Sequence, residues 1–283
     1  MAARKRTSRK KASRKKVAKK KTPRKRSASR KKTASGRTSA TGSKKKRRTR
    51  KKTPSERRPI RLEQKSAPVP VVPEPGRQIH DISPPLSPEI AVFPGDTPLT
   101  RQRLYDMALG HNITLSTLHT TVHVGAHADA PSHYGVAGRT MEAQPIDLYI
   151  GRCQVIEARW WPGQRISPND ISDEITCERV LIKTGSWPDP TVFNPDFAAL
   201  SPEAVHMLAD RGVRLVGVDV PSVDAADSKD LPSHGAFLMR DVAIIECLDL
   251  SAVTPGEYVL VALPLKLVGF DASPVRAVLL DMD

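Results

Sequence analysis

The chain has 283 residues with 46 Lys and Arg against 30 Asp and Glu, and the surplus is not spread evenly. Residues 1–76 hold 31 basic and 3 acidic side chains while residues 77–283 hold 15 and 27, so a segment of net +28 precedes one of net −12. Three scattered cysteines exclude a disulfide framework, and no apolar run nears the roughly 18 residues of a membrane span; soluble, reducing, cytoplasmic surroundings are expected.

From Arg4 to Arg61 the chain is Lys, Arg, Ser, Thr and Ala, with too little to bury to offset ordering entropy, so a disordered tail is expected. Blocks such as Lys44-Lys45-Lys46-Arg47-Arg48 and the steps Thr22-Pro23 and Thr53-Pro54 resemble histone H1-like tails. Their physics is phosphate neutralisation with counterion release, which gives association with nucleic acid or another polyanion that is blind to sequence. No aromatic residue lies among the charges to stack on bases. A merely solvated appendage, or a misassigned start codon, are the alternatives. Pro68 to Pro75 reads as an extended linker, which leaves 77–283 as one domain with room for a substantial core.

Strand-like runs then follow in order: Glu89–Phe93, Ile113–Leu118, Gln154–Ala158, Val180–Lys183, Leu215–Val220, Val242–Glu246, Tyr258–Leu263 and Val275–Leu280. Ser201–Arg211 fits a helix, with Ser201 as N-cap, Pro202 in the first turn and Gly212 closing it. Strands outnumber helices, and the fold class expected is mixed α/β. Connectivity does not follow from this pattern.

The segment His123-Val-Gly-Ala-His127-Ala-Asp129-Ala-Pro131-Ser-His133 carries the chemistry. Its polar or special residues recur every second position, which in extended chain puts them on one face, with Val124, Ala126, Ala128, Ala130 and Ser132 on the other. Gly125 and Pro131 oppose a helix. In straight chain the Cα atoms of His123 and His127 would stand about 13 Å apart, so joint chelation needs a bend, which Gly125 can supply. Three imidazoles and a carboxylate suit a borderline ion such as Zn²⁺. The competing reading is a polar strand edge, but three of the chain's eight histidines crowd into eleven residues.

This segment resembles the HxGTHxDxPxH signature of the cyclase family of metal-dependent hydrolases. Asp81-Ile-Ser-Pro-Pro-Leu, Phe93-Pro-Gly-Asp-Thr-Pro98, Gly217-Val-Asp-Val-Pro-Ser-Val-Asp224, Asp227-Ser-Lys229 and Leu263-Pro-Leu-Lys-Leu-Val-Gly-Phe-Asp-Ala-Ser-Pro-Val-Arg276 narrow the resemblance to the bacterial kynurenine formamidases, which are arylformamidases. It covers roughly residues 78–283. It implies a cyclase-like, swivelling β/β/α domain acting as a homodimer or larger assembly. The reaction implied is hydrolysis of N-formyl-L-kynurenine to L-kynurenine and formate, in tryptophan degradation. It also implies a two-zinc centre: His123 and His127 on the first ion, His234 on the second, and Asp129 and Glu246 bridging. His133 is then the acid/base, its unperturbed pKa of about 6.5 suiting proton transfer to the departing nitrogen. Taken alone, His234 and Glu246 read equally well as structural residues.

Two positions depart from the pattern. Ala126 replaces the signature's Thr. Phe93, the substrate-binding aromatic position, stands where relatives commonly have Trp; Phe keeps a ring face and loses an N–H donor. His80, His111, His119 and His206 read as structural or surface residues, and Trp160, Trp161 and Trp187 as core or interface. No GxSxG occurs and Ser132 has no evident triad. The alternatives are a sister hydrolase acting on a cyclic amide such as isatin, and a nucleic-acid-binding protein working through its tail.

Overall fold

The continuous β-branched runs around Val180, Val216 and Ile244 read as strands buried on both faces, and the chain lays them side by side as the parallel centre of one sheet. The structure, a computed structural model, describes residues 78–282; the expectations for residues 1–76, tail and linker alike, lie outside the described residues. In chain order the elements are β1 (Ile79–Asp81), β2 (Thr100–Tyr105), β3 (Leu115–His119), β4 (His127–Asp129), β5 (Ile150–Glu157), β6 (Arg165–Ile166), β7 (Arg179–Lys183) and β8 (Ala199–Leu200). Then come α1 (Pro202–Asp210), β9 (Leu215–Val218), α2 (Pro232–Arg240), β10 (Ala243–Glu246), β11 (Gly256–Val261), β12 (Ala272–Pro274) and β13 (Val278–Asp281).

Nine strands form the main sheet in the order β1-β13-β11-β5-β7-β9-β10-β4-β12. The central β5, β7, β9 and β10 run parallel, and every other pairing in the sheet is antiparallel. Alternation along these strands divides the core. Ile156, Val180, Ile182, Val216, Val218 and Ile244 pack on one face with Val205 and Leu208 of α1 and Ala236 and Phe237 of α2. Val155, Leu181, Leu215 and Ile245 pack on the other with Ala128, Tyr149 and Leu260. Each large apolar side chain so buried contributes roughly 1.5–3 kcal/mol. The sheet is mixed and the helices few, as a mixed α/β reading requires.

Helix α1 starts as its sequence says: the Ser201 hydroxyl accepts from the Ala204 N–H, Pro202 takes the first turn, and Gly212 at φ +84° turns the chain away. Helix α2 was not foreseen. It begins at Leu231 in the left-handed region, with no side-chain cap, and it contains Gly235. Packing of Phe237, fully buried, holds it in place.

Two expectations are corrected. Glu89–Phe93 is not a strand: Ile90 closes a turn onto Ser87, and Ala91 donates to Pro190 in a loop. Prolines at 84, 85, 88 and 94 crowd this stretch and remove the N–H groups a ladder needs. The segment from His123 to His133 is not extended throughout, since only His127–Asp129 pairs as strand. Gly125 bends the chain before it at φ +56°, and Pro131 opens a single 3-10 turn after it. Strict alternation therefore holds only within β4.

Candidate metal centre

Register builds the heart of the site. Strand β4 lies between β10 and β12, with Glu246 opposite His127 and Ile244 opposite Asp129. Residues directly opposite point to the same face, so His127, Asp129 and Glu246 share the face covered by the helices, while Ala128 and Ile245 point away into the second core. This end of β10 is also the carboxyl end of the parallel strands, where open α/β sheets bind ligands. The bend at Gly125 returns His123 to the same spot, its ring centroid 5.0 Å from that of His127. Helix α2 delivers His234 from across the cavity.

Each imidazole is tethered at one nitrogen and free at the other. His127 Nδ1 donates to the carbonyl oxygen of Gly125 at 2.8 Å, which leaves Nε2 a lone pair facing Glu246 Oε2 at 3.4 Å and Asp129 Oδ1 at 3.5 Å. His234 Nδ1 pairs with Asp224 Oδ2 at 2.9 Å, and its Nε2 lies 3.7 Å from Asp129 and 3.8 Å from Glu246. His123 Nε2 pairs with Asp271 Oδ2 at 3.1 Å, and its Nδ1 lies 3.2 Å from Asp129 Oδ1. Outer anchors of this kind fix tautomer and ring orientation at metal-binding histidines.

The inner atoms lack what a protein interior normally provides. His127 Nε2 and both oxygens of Asp129 are buried without a hydrogen-bond partner, whereas most buried polar atoms have one. Burial opposes charge on Asp129, yet the imidazoles of His123, His234 and His127 hold its carboxyl well below the usual range. Burial likewise opposes charge on His123 and His234, but the surrounding carboxylates prevail. They raise the first to about 9, through Asp129, Asp271 and Glu246, and the second to about 10, through Asp129, Asp224 and Glu246. The cluster is an anionic pocket suited to a cation. Two overlapping groups, His123-Asp129-His133 and His127-Asp129-Glu246, each bring three donor atoms within 4.8 Å of one another. The donor set fits a divalent metal.

Six of the seven residues singled out in the sequence, Phe93, His123, His127, His133, His234 and Glu246, line one cavity of about 470 Å³. Asp129, the seventh, is buried and does not line it. His133 ends the 3-10 turn after β4 and is 36% exposed, with its Nδ1 3.4 Å from Asp271. Phe93 stacks edge-on against Phe193 at 5.1 Å, and Trp187 joins this aromatic wall while remaining buried. Asp219 shapes the loop carrying Trp187 by accepting from the N–H groups of Thr184 and Gly185. His80 pairs with Asp281, His111 caps the turn at Asp106, and neither lines the cavity.

Sequence reading missed Asp224 and Asp271, though both stand in stretches quoted for the resemblance. Asp224 is fully buried and also holds Arg165 and the N–H groups of Ser233 and His234. Backbone strain gathers here as well: two of the three non-glycine left-handed residues among those described are Leu231 and Cys247, beside His234 and Glu246.

Residues 80–225 match the family model described as "Putative cyclase". A kynurenine formamidase from Bordetella avium (strain 197N) is 42% identical over 209 residues, covering 73% of this chain and 99% of the relative. The chain belongs to the cyclase family of metal-dependent hydrolases. A solved cyclase-family fold, described as a "predicted metal-dependent hydrolase from Bacillus stearothermophilus", is 30% identical, with a TM-score of 0.63 and coverage of 73% and 99% of the two chains. Isatin hydrolase A from Labrenzia aggregata, at 21% identity and TM-score 0.64, has the same fold. The donor cluster and the likeness to metal-dependent hydrolases together support a metal cofactor. No helix among the described residues is long and apolar enough to cross a membrane.

Proposed function

We propose that the chain is a kynurenine formamidase that hydrolyses N-formyl-L-kynurenine to L-kynurenine and formate. The observation that carries this reading is 42% identity over nearly the whole length of the Bordetella avium enzyme, joined to a donor cluster opening into a cavity with an aromatic wall. The isatin-type alternative has only likeness of fold behind it. Two zinc ions are proposed, which His123, His127, His234, Asp129 and Glu246 would hold. The unpartnered oxygens of Asp129 and the overlap of two donor groups on that residue support the pair. When bound, such ions lower the pKa of water towards about 7 and polarise a carbonyl oxygen.

The chain's own residues do the rest. Phe93, Phe193 and Trp187 hold the substrate's aromatic ring and narrow the access of solvent. Water adds to the formyl carbon, the carbon–nitrogen bond breaks, and His133 gives the aniline nitrogen its proton. His133 is exposed enough to reach substrate; Asp271 Oδ2 orients the His123 ring at 3.1 Å and lies 3.4 Å from His133 Nδ1. The purified full chain should form kynurenine from N-formyl-L-kynurenine, lose the activity on chelation, and regain it with about two Zn²⁺ per chain. A metal-loaded protein that hydrolyses isatin but makes no kynurenine would refute the reading.

We also propose a homodimer. Strands β2 and β3 are exposed at every residue, and their hairpin carries Leu104, Tyr105, Met107, Leu109, Ile113, Leu115 and Leu118 to the surface. So many exposed apolar side chains on one hairpin mark an interaction site, and a second copy is the proposed occupant. Replacing Leu104 and Leu118 together by Asp should convert a dimer to monomer in sedimentation analysis; an unchanged mass rules out this arm.

For residues 1–76 a tail on the enzyme domain of 77–283 is proposed, with nucleic acid or another polyanion as its partner, on the strength of its charge. Retention of the full chain on DNA should fall steeply with salt, and retention that ignores salt excludes this. Cytoplasmic placement is proposed from the three free, buried cysteines, and cell fractionation tests it.

A further inference from the structure

Apart from the donor cluster, His133 and Asp271, the charged side chains lining the cavity are two, Asp96 and Lys229. They are of opposite sign. Both are exposed. Asp96 closes a turn by donating its N–H to the Phe93 carbonyl at 3.0 Å, with Gly95 at φ +102° permitting the bend. One turn thus fixes both the aromatic ring and the carboxylate. Among the described residues, the one side-chain hydrogen bond to Asp96 is a long one of 3.5 Å from the Thr121 hydroxyl. Lys229 lies on the loop between β9 and α2, and among the described residues its ammonium has no hydrogen-bond or ion-pair partner.

We propose that Asp96 and Lys229 form a two-point subsite for an α-amino-acid head group, Asp96 taking the ammonium and Lys229 the carboxylate. This rests on the reading of the site as an arylformamidase. N-formyl-L-kynurenine is a formamide at one end of an aromatic ring and a zwitterion on the neighbouring ring substituent. With the formamide at the donor cluster and the ring against Phe93, the head group is directed to the rest of the lining, where one charge of each sign waits. A neutral cyclic amide offers neither charge. The subsite therefore selects the linear amino-acid substrate and sets its orientation before the carbon–nitrogen bond is broken.

The test compares N-formyl-L-kynurenine with N-formyl-2-aminoacetophenone, which keeps the ring, ketone and formamide and lacks the amino-acid head. The ratio of kcat/KM for the two is internal to each preparation, so partial loss of active protein cancels. The metal-loaded wild-type enzyme should favour the zwitterion, and Lys229→Met and Asp96→Asn should each reduce the ratio by about 10-fold or more, mainly through KM, as expected for loss of a charge-assisted contact. Lys229→Arg should retain most of it. If wild type hydrolyses neither formamide, the proposed function itself fails. If both are hydrolysed and the ratio is the same in wild type, Lys229→Met and Asp96→Asn, even with a uniform fall in rate, the subsite is refuted.

Discussion

Replacing His133 by Ala is expected to lower turnover of N-formyl-L-kynurenine by about 10²–10⁴-fold and to leave the metal content of the protein unchanged. That range is what a positioned general acid or base contributes. The argument for sparing the metal is geometric. His123, His127 and His234 are each anchored at one nitrogen by a short hydrogen bond, and each turns the other nitrogen towards Asp129. His133 has no such anchor: its nearest acidic neighbour is Asp271 at 3.4 Å, already engaged with His123. It is also the most exposed of the four rings, as a group that must meet the substrate needs to be. His133 does fall within one possible donor group with His123 and Asp129, so metal analysis is the deciding measurement. Loss of metal in step with activity would make His133 a ligand, and undiminished turnover would leave it with neither role.

Gly125→Ala is expected to reduce turnover on the order of 10²-fold while lowering Tm by only a few degrees. At φ +56° an L side chain costs roughly 1–2 kcal/mol, which for a domain of this size is about 2–8 °C. The added Cβ would also overlap Leu86 Cδ2. Leu86 is half exposed and can swing outward, so this overlap is relieved cheaply. The strain at φ +56° is not relieved that way and relaxes only by turning the backbone, and the Gly125 carbonyl holds His127 while the bend carries His123. Displacing reacting groups by about 1 Å is enough for losses of this order. Wild-type kinetics in this variant would show that the bend does not set the geometry of the site.

How much of this was legible in the sequence depends on the distance over which each signal acts. Val180–Lys183 and Leu215–Val220 announce strands because burial on both faces leaves β-branched runs without a polar face. Helix α1 is written in Ser201, Pro202 and Gly212, all local. Helix α2 and strand β2 were silent for opposite reasons. The first has a glycine and no cap and depends on packing. The second, Thr-Arg-Gln-Arg-Leu-Tyr, is exposed along its length and lacks alternation. His123, His127 and Asp129 were readable because they are neighbours in the chain. His234 and Glu246 came only with the family resemblance, since their approach depends on the β4–β10 register and on where α2 docks. Asp224 and Asp271 were missed because an acidic side chain says nothing about which ring it will hold.

Strand β4, filed between β10 and β12, gives the centre a mechanical character. The donors of the centre come from early and late parts of the domain, so ions seated there would act as a clasp across loops that are slow to close. Folding and metal supply are then linked: above the dissociation constant, each tenfold rise in free metal adds about 1.4 kcal/mol of stability per bound ion. The lifetime of the enzyme in the cell would follow the local metal reserve, and scarcity would thin the population of folded molecules as well as idle those that remain.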